Sequence, residues 1–279
     1  MKSIKPADGS ICTSPPQNEF EWEDHRQLKT QEQVIRFFHG ERLSALKARV
    51  CAMGRRLWSR EYVDGNGGNI SVRVARDLVV CTPTLISKGF MAPEDLCLVD
   101  MEGRQKAGAR PPSSEIRTHL AIMREVPEAS ACVHAHPPHA NAFLICAQVP
   151  PTGVMPEPDI FLGEVGMAPY ATPGTEQNAR NVGRMAKDRQ CIFMQNHGVI
   201  TWGNHVEDAY WKIENIDAYC RILLLSTALT APVTRVDVEA MRDFVNARLR
   251  LGMPDKRAFR QDDALFNAEE FAGRRFSSL

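Results

Sequence analysis

Nothing in this chain pairs its cysteines the way metal fingers or redox motifs do. The eight cysteines, from Cys12 to Cys220, are widely spaced and none forms C-x-x-C. Several sit in apolar runs such as Leu78-Val79-Val80-Cys81, where cysteine acts as a small hydrophobe. The expectation is reduced thiols in a cytoplasmic protein. Net charge is lacking too, with 34 Lys plus Arg against 34 Asp plus Glu. That excludes a global attraction to nucleic acid or an anionic membrane, so an anionic substrate has to be held by local geometry. No apolar run approaches the roughly 20 residues of a membrane span. The first 25 residues hold no apolar leader core, so no signal peptide is expected. No internal repeat is visible.

What is present is ordinary globular usage: 279 residues, 43% hydrophobic and 24% charged. That is long enough to bury a sizeable core. Residues 1–29, rich in Pro, Ser and acidic side chains, read as a flexible N-terminal arm. Leu43, Leu46, Val50, Met53 and Leu57 recur at helical spacing within a helix expected from Thr30 to Arg60. Short strands are expected at Ile70–Val74, Leu78–Cys81 and Leu96–Val99, and a polar loop at Gly103–Ala109. A helix opens at Pro112-Ser113-Ser114 with Ser as its cap and Ile116, Leu120 and Met123 as its buried stripe. Ala131–His136 reads as a strand leading to a helix at His139–Cys146, and Pro150–Pro173 as irregular. A helix at Glu176–Ala186 follows, then strands Cys191–Gln195 and Val199–Trp202 and a long helix Val206–Ser226. Residues 231–279 add one helix, Val236–Arg250, and a charged tail. Helices and strands mix without strict alternation, which places residues 30–230 in one three-layer α/β domain.

Three segments carry chemistry. In Val133-His134-Ala135-His136-Pro137 the two histidines share one strand face and can reach one metal; they are equally compatible with polar residues at a strand end. In Gln195-Asn196-His197-Gly198 a histidine sits in a tight turn, where Gly198 permits an unusual backbone. Pro112-Ser113-Ser114-Glu115 reads as a helix N-terminus, which is also a ready anion site. Glu115 can be a proton-transfer base if it faces a metal. His119, one turn later, reads as a core histidine, and His139 as a candidate support for the metal ligands.

The order of segments G-N-I-S-V-R, T-P-T, P-E-D-L, P-S-S-E, V-H-x-H-P, A-P-Y-A-T-P-G-T and N-H-G-V-I resembles the class II aldolase/adducin family, from about Leu43 to Leu229. Fuculose-phosphate and rhamnulose-phosphate aldolases and ribulose-phosphate 4-epimerase are members. The resemblance implies a three-layer αβα domain with a central mixed, largely antiparallel sheet. It implies one divalent metal per subunit, Zn2+, held by His134, His136 and His197, with Glu115 as catalytic base. It puts the phosphate contacts on Asn69, Thr84, Ser113 and Ser114. It further implies a cytoplasmic homotetramer of carbohydrate metabolism with sites near subunit interfaces, acting on a phosphorylated ketose without nucleic acid or membrane partners. The implied reaction is retro-aldol cleavage or aldol condensation through a zinc-stabilised enediolate. Epimerases, sugar-phosphate dehydratases and hydroxy-acid decarboxylases share the metal set, and adducin-like binding modules share the fold. Two departures stand out. Leu85 replaces the glycine usual after T-P-T, and Val154-Met155-Pro156-Glu157-Pro158 lacks the tyrosine that serves as proton donor in the fuculose-phosphate enzymes. Glu157, Tyr170 or a tail residue are the substitutes at hand.

Overall fold

The computed structural model describes residues 28–229 and 231–267, and the backbone of short strand segments after residue 269. The arm expected at residues 1–29 lies outside the described residues as far as residue 27. Thr30 opens α1 (Gln31–Phe38) with a capping box closed by Gln33. The single helix expected from Thr30 to Arg60 is in fact two. Gly40 leaves helical geometry for extended φ and ψ and becomes the N-cap of α2 (Glu41–Ser59).

The next elements are β1 (Asn69–Arg73), β2 (Leu78–Cys81), β3 (Cys97–Asp100), β4 (Gln105–Ala107), α3 (Ile116–Glu125), β5 (Ala131–Ala135), α4 (Pro138–Ile145), α5 (Pro156–Phe161), β6 (Gly166–Ala168), α6 (Glu176–Ala186), β7 (Cys191–Met194), β8 (Gly198–Gly203), α7 (Val206–Ser226) and α8 (Val238–Arg250). Two stretches expected to be irregular contain elements. Gly103–Ala109 includes β4, an edge strand whose polar Gln105 and Lys106 gave no apolar signal. Pro150–Pro173 includes α5, whose Pro156 occupies a first-turn position where no N–H is needed, and the three-residue strand β6.

The eight strands form one sheet in the order β4-β3-β2-β1-β5-β8-β7-β6. Every neighbouring pair is antiparallel except β6 with β7. This is the mixed, largely antiparallel sheet of the expected αβα architecture. Side chains alternate between two cores. Ile70, Val72, Val80, Leu98, Val133 and Val199 pack with the faces of α2, α4 and α7. Val79, Cys81, Cys97, Val99, Cys132, Ile200 and Trp202 pack with α3 and α6. Burial on both faces explains the continuous apolar strand runs. His134 on β5 faces the same way as Cys132 and is a polar intruder in that run.

The C-terminal segment is tied to the domain by buried charge. The Arg257 guanidinium donates to the Asp159 carboxylate at 2.5 Å, to the Asp159 carbonyl at 2.8 Å and to Asp255 at 2.7 Å. Arg248 on α8 reaches the Ile160 carbonyl and Gln190. These bonds lock the end of the described chain over α5. Among the described residues, no helix is long and apolar enough to cross a membrane. The seven described cysteines are free thiols.

Candidate metal centre

The site forms where β5 ends. In register, Asn69 of β1 lies opposite His134 and Ser71 opposite Cys132. His134 is 1% exposed. Its Nδ1–H donates to the Val199 carbonyl on β8 at 2.9 Å. A carbonyl only accepts, so this bond fixes the tautomer and leaves a lone pair on Nε2. Burial, reinforced by the neighbouring His136 and His197 rings, holds the His134 imidazole well below its ordinary pKa and therefore neutral. His136 lies one residue past the strand, with its N–H bonded to the Tyr62 carbonyl. Its Nε2 is 3.1 Å from the His134 Nε2.

His197 arrives from the β7–β8 hairpin. The turn closes with a His197 N–H to Met194 carbonyl bond of 3.0 Å. The expectation that Gly198 supplies the unusual backbone here is corrected, because the left-handed residue is Asn196, at φ 56°. Glycine is needed at 198 for space. A Cβ there would lie 2.5 Å from the His136 ring, 2.8 Å from the His134 ring and 2.7 Å from the Ala135 carbonyl. The three rings have centroids 4.7–5.4 Å apart, and one ring nitrogen from each falls within 4.8 Å of the others.

Glu115 closes the cluster. It is the N-cap residue of α3. The expected serine cap is corrected: the helix starts later, and the Ser113 hydroxyl accepts the Glu115 N–H at 3.3 Å. One Glu115 oxygen is 3.7 Å from the His134 Nε2 and the other 3.6 Å from the His197 Nε2. Nitrogen and oxygen donors about 2.0–2.2 Å from a shared tetrahedral ion stand about 3.3–3.6 Å from each other. Two facing imidazole nitrogens, a neutral ring and a nearby carboxylate therefore fit a divalent ion. Burial pushes the Glu115 carboxyl above its usual pKa, opposed by His197, by the Asn69 amide and by Lys88.

Helix α3 is matched to β1 by repeat length. Four helical residues rise about 6 Å, and two strand residues about 6.6 Å. Glu115 thus meets Asn69, whose Nδ2 donates at 3.3 Å, and His119 meets Ser71, its Nδ1 2.7 Å from the hydroxyl. His119 is fully buried and held at a pKa of about 3 by desolvation. It is a core histidine, as its sequence context suggested, but one that seats the helix carrying Glu115.

The remaining candidates gather along a seam. Pro83 bridges Pro112. The Thr84 N–H bonds the Pro111 carbonyl and the Ser113 N–H bonds the Thr82 carbonyl, each at 3.1 Å. Thr84, Ser113 and Ser114 are thereby brought beside the loop that leads into Glu115. Gly174 passes so close that a Cβ would sit 2.8 Å from the Ser114 carbonyl, which accounts for a glycine in A-P-Y-A-T-P-G-T. Leu85 keeps the glycine-like backbone, at φ 55°, with its side chain 79% exposed.

Other candidates lie elsewhere. His139 pairs with Asp217 at 2.9 Å, and that carboxylate also takes the His139 and Ala140 N–H groups; it caps α4. Glu157 is exposed on α5 and Tyr170 is 57% exposed. Among the described residues, no hydrogen bond joins either to the histidines. Sequence reasoning passed over Lys88, a buried lysine beside the site, because a single lysine in a loop carries no pattern.

Residues 48–224 match the class II aldolase and adducin N-terminal domain. An L-fuculose phosphate aldolase of Methanococcus vannielii is 34% identical over 166 residues, 60% of this chain and 88% of that protein. A 3-oxo-tetronate 4-phosphate decarboxylase of Haemophilus influenzae is 30% identical over 182 residues, 64% of this chain and 86% of that protein. A solved L-fuculose 1-phosphate aldolase superposes with a TM-score of 0.67 at 25% identity, covering 75% of this chain and 97% of that one.

Proposed function

The chain belongs to the class II aldolase and adducin family, and from that premise we propose that it is a divalent-metal lyase that breaks, and in reverse forms, a carbon–carbon bond of a phosphorylated ketose. The observation that carries this reading is the convergence of His134, His136 and His197 on one another beside the Glu115 carboxylate. The three imidazoles would hold one divalent ion, Zn2+, through ring nitrogens. When bound, the ion supplies Lewis acidity toward carbonyl and hydroxyl oxygens, where negative charge builds as the bond breaks.

The chain's own groups do the rest. Glu115 takes and returns the proton at the donor carbon, which its place beside the three rings allows. The Asn69 amide N–H fixes one Glu115 oxygen, so the carboxylate keeps one orientation. The Asn69 Oδ1 is buried without a partner, and it suits a substrate hydroxyl as donor. Hydroxyls of Thr84, Ser113 and Ser114 receive the phosphate. The same reading takes the enzyme to be cytoplasmic, consistent with its free cysteines, and homotetrameric. Leu85, next to Thr84, and the edge-packed Trp58 and Phe90 rings stand exposed, which suits a subunit interface.

One observation favours a second reading, decarboxylation on the same metal. Aldol cleavage needs a second group to move the proton of the departing aldehyde oxygen, and among the described residues neither Glu157 nor Tyr170 hydrogen-bonds to the histidines, while the tail lies in part outside the described residues. Loss of carbon dioxide needs no such group, and a decarboxylase is among the relatives. The deciding experiment incubates metal-loaded protein with ketose 1-phosphates and with 3-oxo acid phosphates. Dihydroxyacetone phosphate with an aldehyde supports the lyase; carbon dioxide selects the second reading. Full turnover of either by Glu115→Gln removes the base assignment.

A further inference from the structure

Past the ladder of β1 with β2, which runs on through the Thr82 N–H to Ile70 carbonyl bond of 2.9 Å, the loop entering Asn69 and the loop leaving Thr84 have to be held together by something else. Lys88 does this. Its ammonium donates to the Asn66 carbonyl at 3.1 Å and to the Ile86 carbonyl at 2.7 Å. The lysine is 1% exposed. Its backbone lies hard against α2, where a Cβ on Gly54 would meet the Lys88 carbonyl at 2.6 Å and a Cβ on Gly89 would meet the Trp58 ring at 2.5 Å. The lysine therefore has a fixed seat.

A lysine ammonium has three donors, and these two bonds use two. Both partners are neutral carbonyls. Such a buried charge is costly unless an anion answers it; among the described residues the one anion that acts on it is Glu115, and its field is little diluted by solvent. Thr84, Ser113, Ser114 and Asn69 offer neutral donors only.

We propose that Lys88 is a positioning and specificity-determining residue for the anionic end of the substrate, stapling the Asn66 and Ile86 loops and biasing the site toward a phosphate monoester. This rests on the phosphorylated-substrate reading of the same site. Two consequences separate it from a purely structural staple. Removing the charge weakens binding of an anion more than it lowers the rate constant. The affinity also follows the protonation of Lys88. Burial pushes that ammonium down to about 8 against the opposing pull of Glu115, so the charge is present at pH 7 and lost above pH 9. Glu115 is the charged group that acts on it.

The test uses inorganic phosphate and the full-length protein, followed by calorimetric titration without added metal. Phosphate binding to the wild type is expected to weaken from pH 7.5 to 9.5, although phosphate itself becomes more fully the dianion over that range. Lys88→Met is expected to bind on the order of tenfold or more weakly at pH 7.5 and to show no such pH dependence. Wild-type affinity that is flat across this range, or absent, overturns the proposal without reference to any variant. So does a Lys88→Met protein with native near-ultraviolet dichroism and wild-type affinity. Because phosphate binding needs neither turnover nor metal, failure of the lyase reading leaves this result standing, and the converse also holds.

Discussion

Substituting Gly198 by alanine should cost the protein its metal before it costs the fold. The added methyl would start 2.5 Å from a His136 ring carbon, 2.8 Å from a His134 ring carbon and 2.7 Å from the Ala135 carbonyl. All three neighbours have to give way, and the carbonyl cannot, because it belongs to the β5–β8 ladder. The rings must therefore move by the better part of an ångström. Overpacking of this kind costs about 1–3 kcal/mol of stability. Disturbing the support of a metal ligand typically costs 10–100-fold in affinity, and here two ligands are displaced together, so about 100-fold is expected. Competition against a chromogenic chelator measures it. Gly65→Ala is the control: its Cβ meets nothing within 4 Å, although its φ of 43° carries left-handed strain. It should lose about 1–2 kcal/mol and keep its metal. Unchanged metal affinity in Gly198→Ala would refute the claim that this glycine exists to seat the rings.

Three further outcomes follow from burial and charge. His119 is held near a pKa of about 3 in the folded state, against 6.5 for an unperturbed imidazole. Its folded pKa is depressed, so the unfolded chain binds the proton first. Stability then falls as pH drops from about 6.5 towards 3, by up to about 1.4 kcal/mol per pH unit for this one proton. His119→Asn should flatten that slope by up to one proton while retaining metal, and an unchanged slope in urea titrations contradicts it. Leu85→Gly relieves about 1–2 kcal/mol of left-handed strain but gives back about 0.5–1 kcal/mol of chain entropy; a urea-measured loss above about 2 kcal/mol would mean that Leu85 is packed, not strained. Arg257→Leu leaves the Asp159 carboxylate buried without its cation and Asp255 with Arg248 alone and should cost about 3–5 kcal/mol by chemical denaturation; a loss within about 1 kcal/mol would show that the clamp over α5 is not formed.

The parts of the fold that were legible in the sequence were those whose pattern is local. The stripe of α2 and the doubly buried strands announced themselves through apolar spacing, and the three histidines that converge at the end of β5 through ordered motifs. The break at Gly40 was hidden, because one glycine inside a helical pattern does not say whether the helix ends. Strands β4 and β6 were hidden because three-residue edge strands borrow their order from a neighbour. Long-range pairing was invisible as well. The match of Glu115 and His119 to Asn69 and Ser71 depends on how α3 lies over β1, and the buried seat of Lys88 depends on α2. The partner of His139 was invisible for the same reason, since Asp217 stands 78 residues away in sequence. Gly198 was picked out correctly, but for a backbone reason when the reason is space beside two rings.

The central claim is that the His134, His136 and His197 rings bind one ion beside Glu115. A crystal structure of zinc-loaded protein, with anomalous scattering recorded on both sides of the zinc edge, tests it directly. The account predicts one anomalous peak per chain, about 2.0–2.2 Å from a ring nitrogen of each histidine, with the His134 contact made through Nε2 because its Nδ1–H is committed to Val199. A peak elsewhere, or one bound through the His134 Nδ1 with the Val199 bond broken, would contradict it.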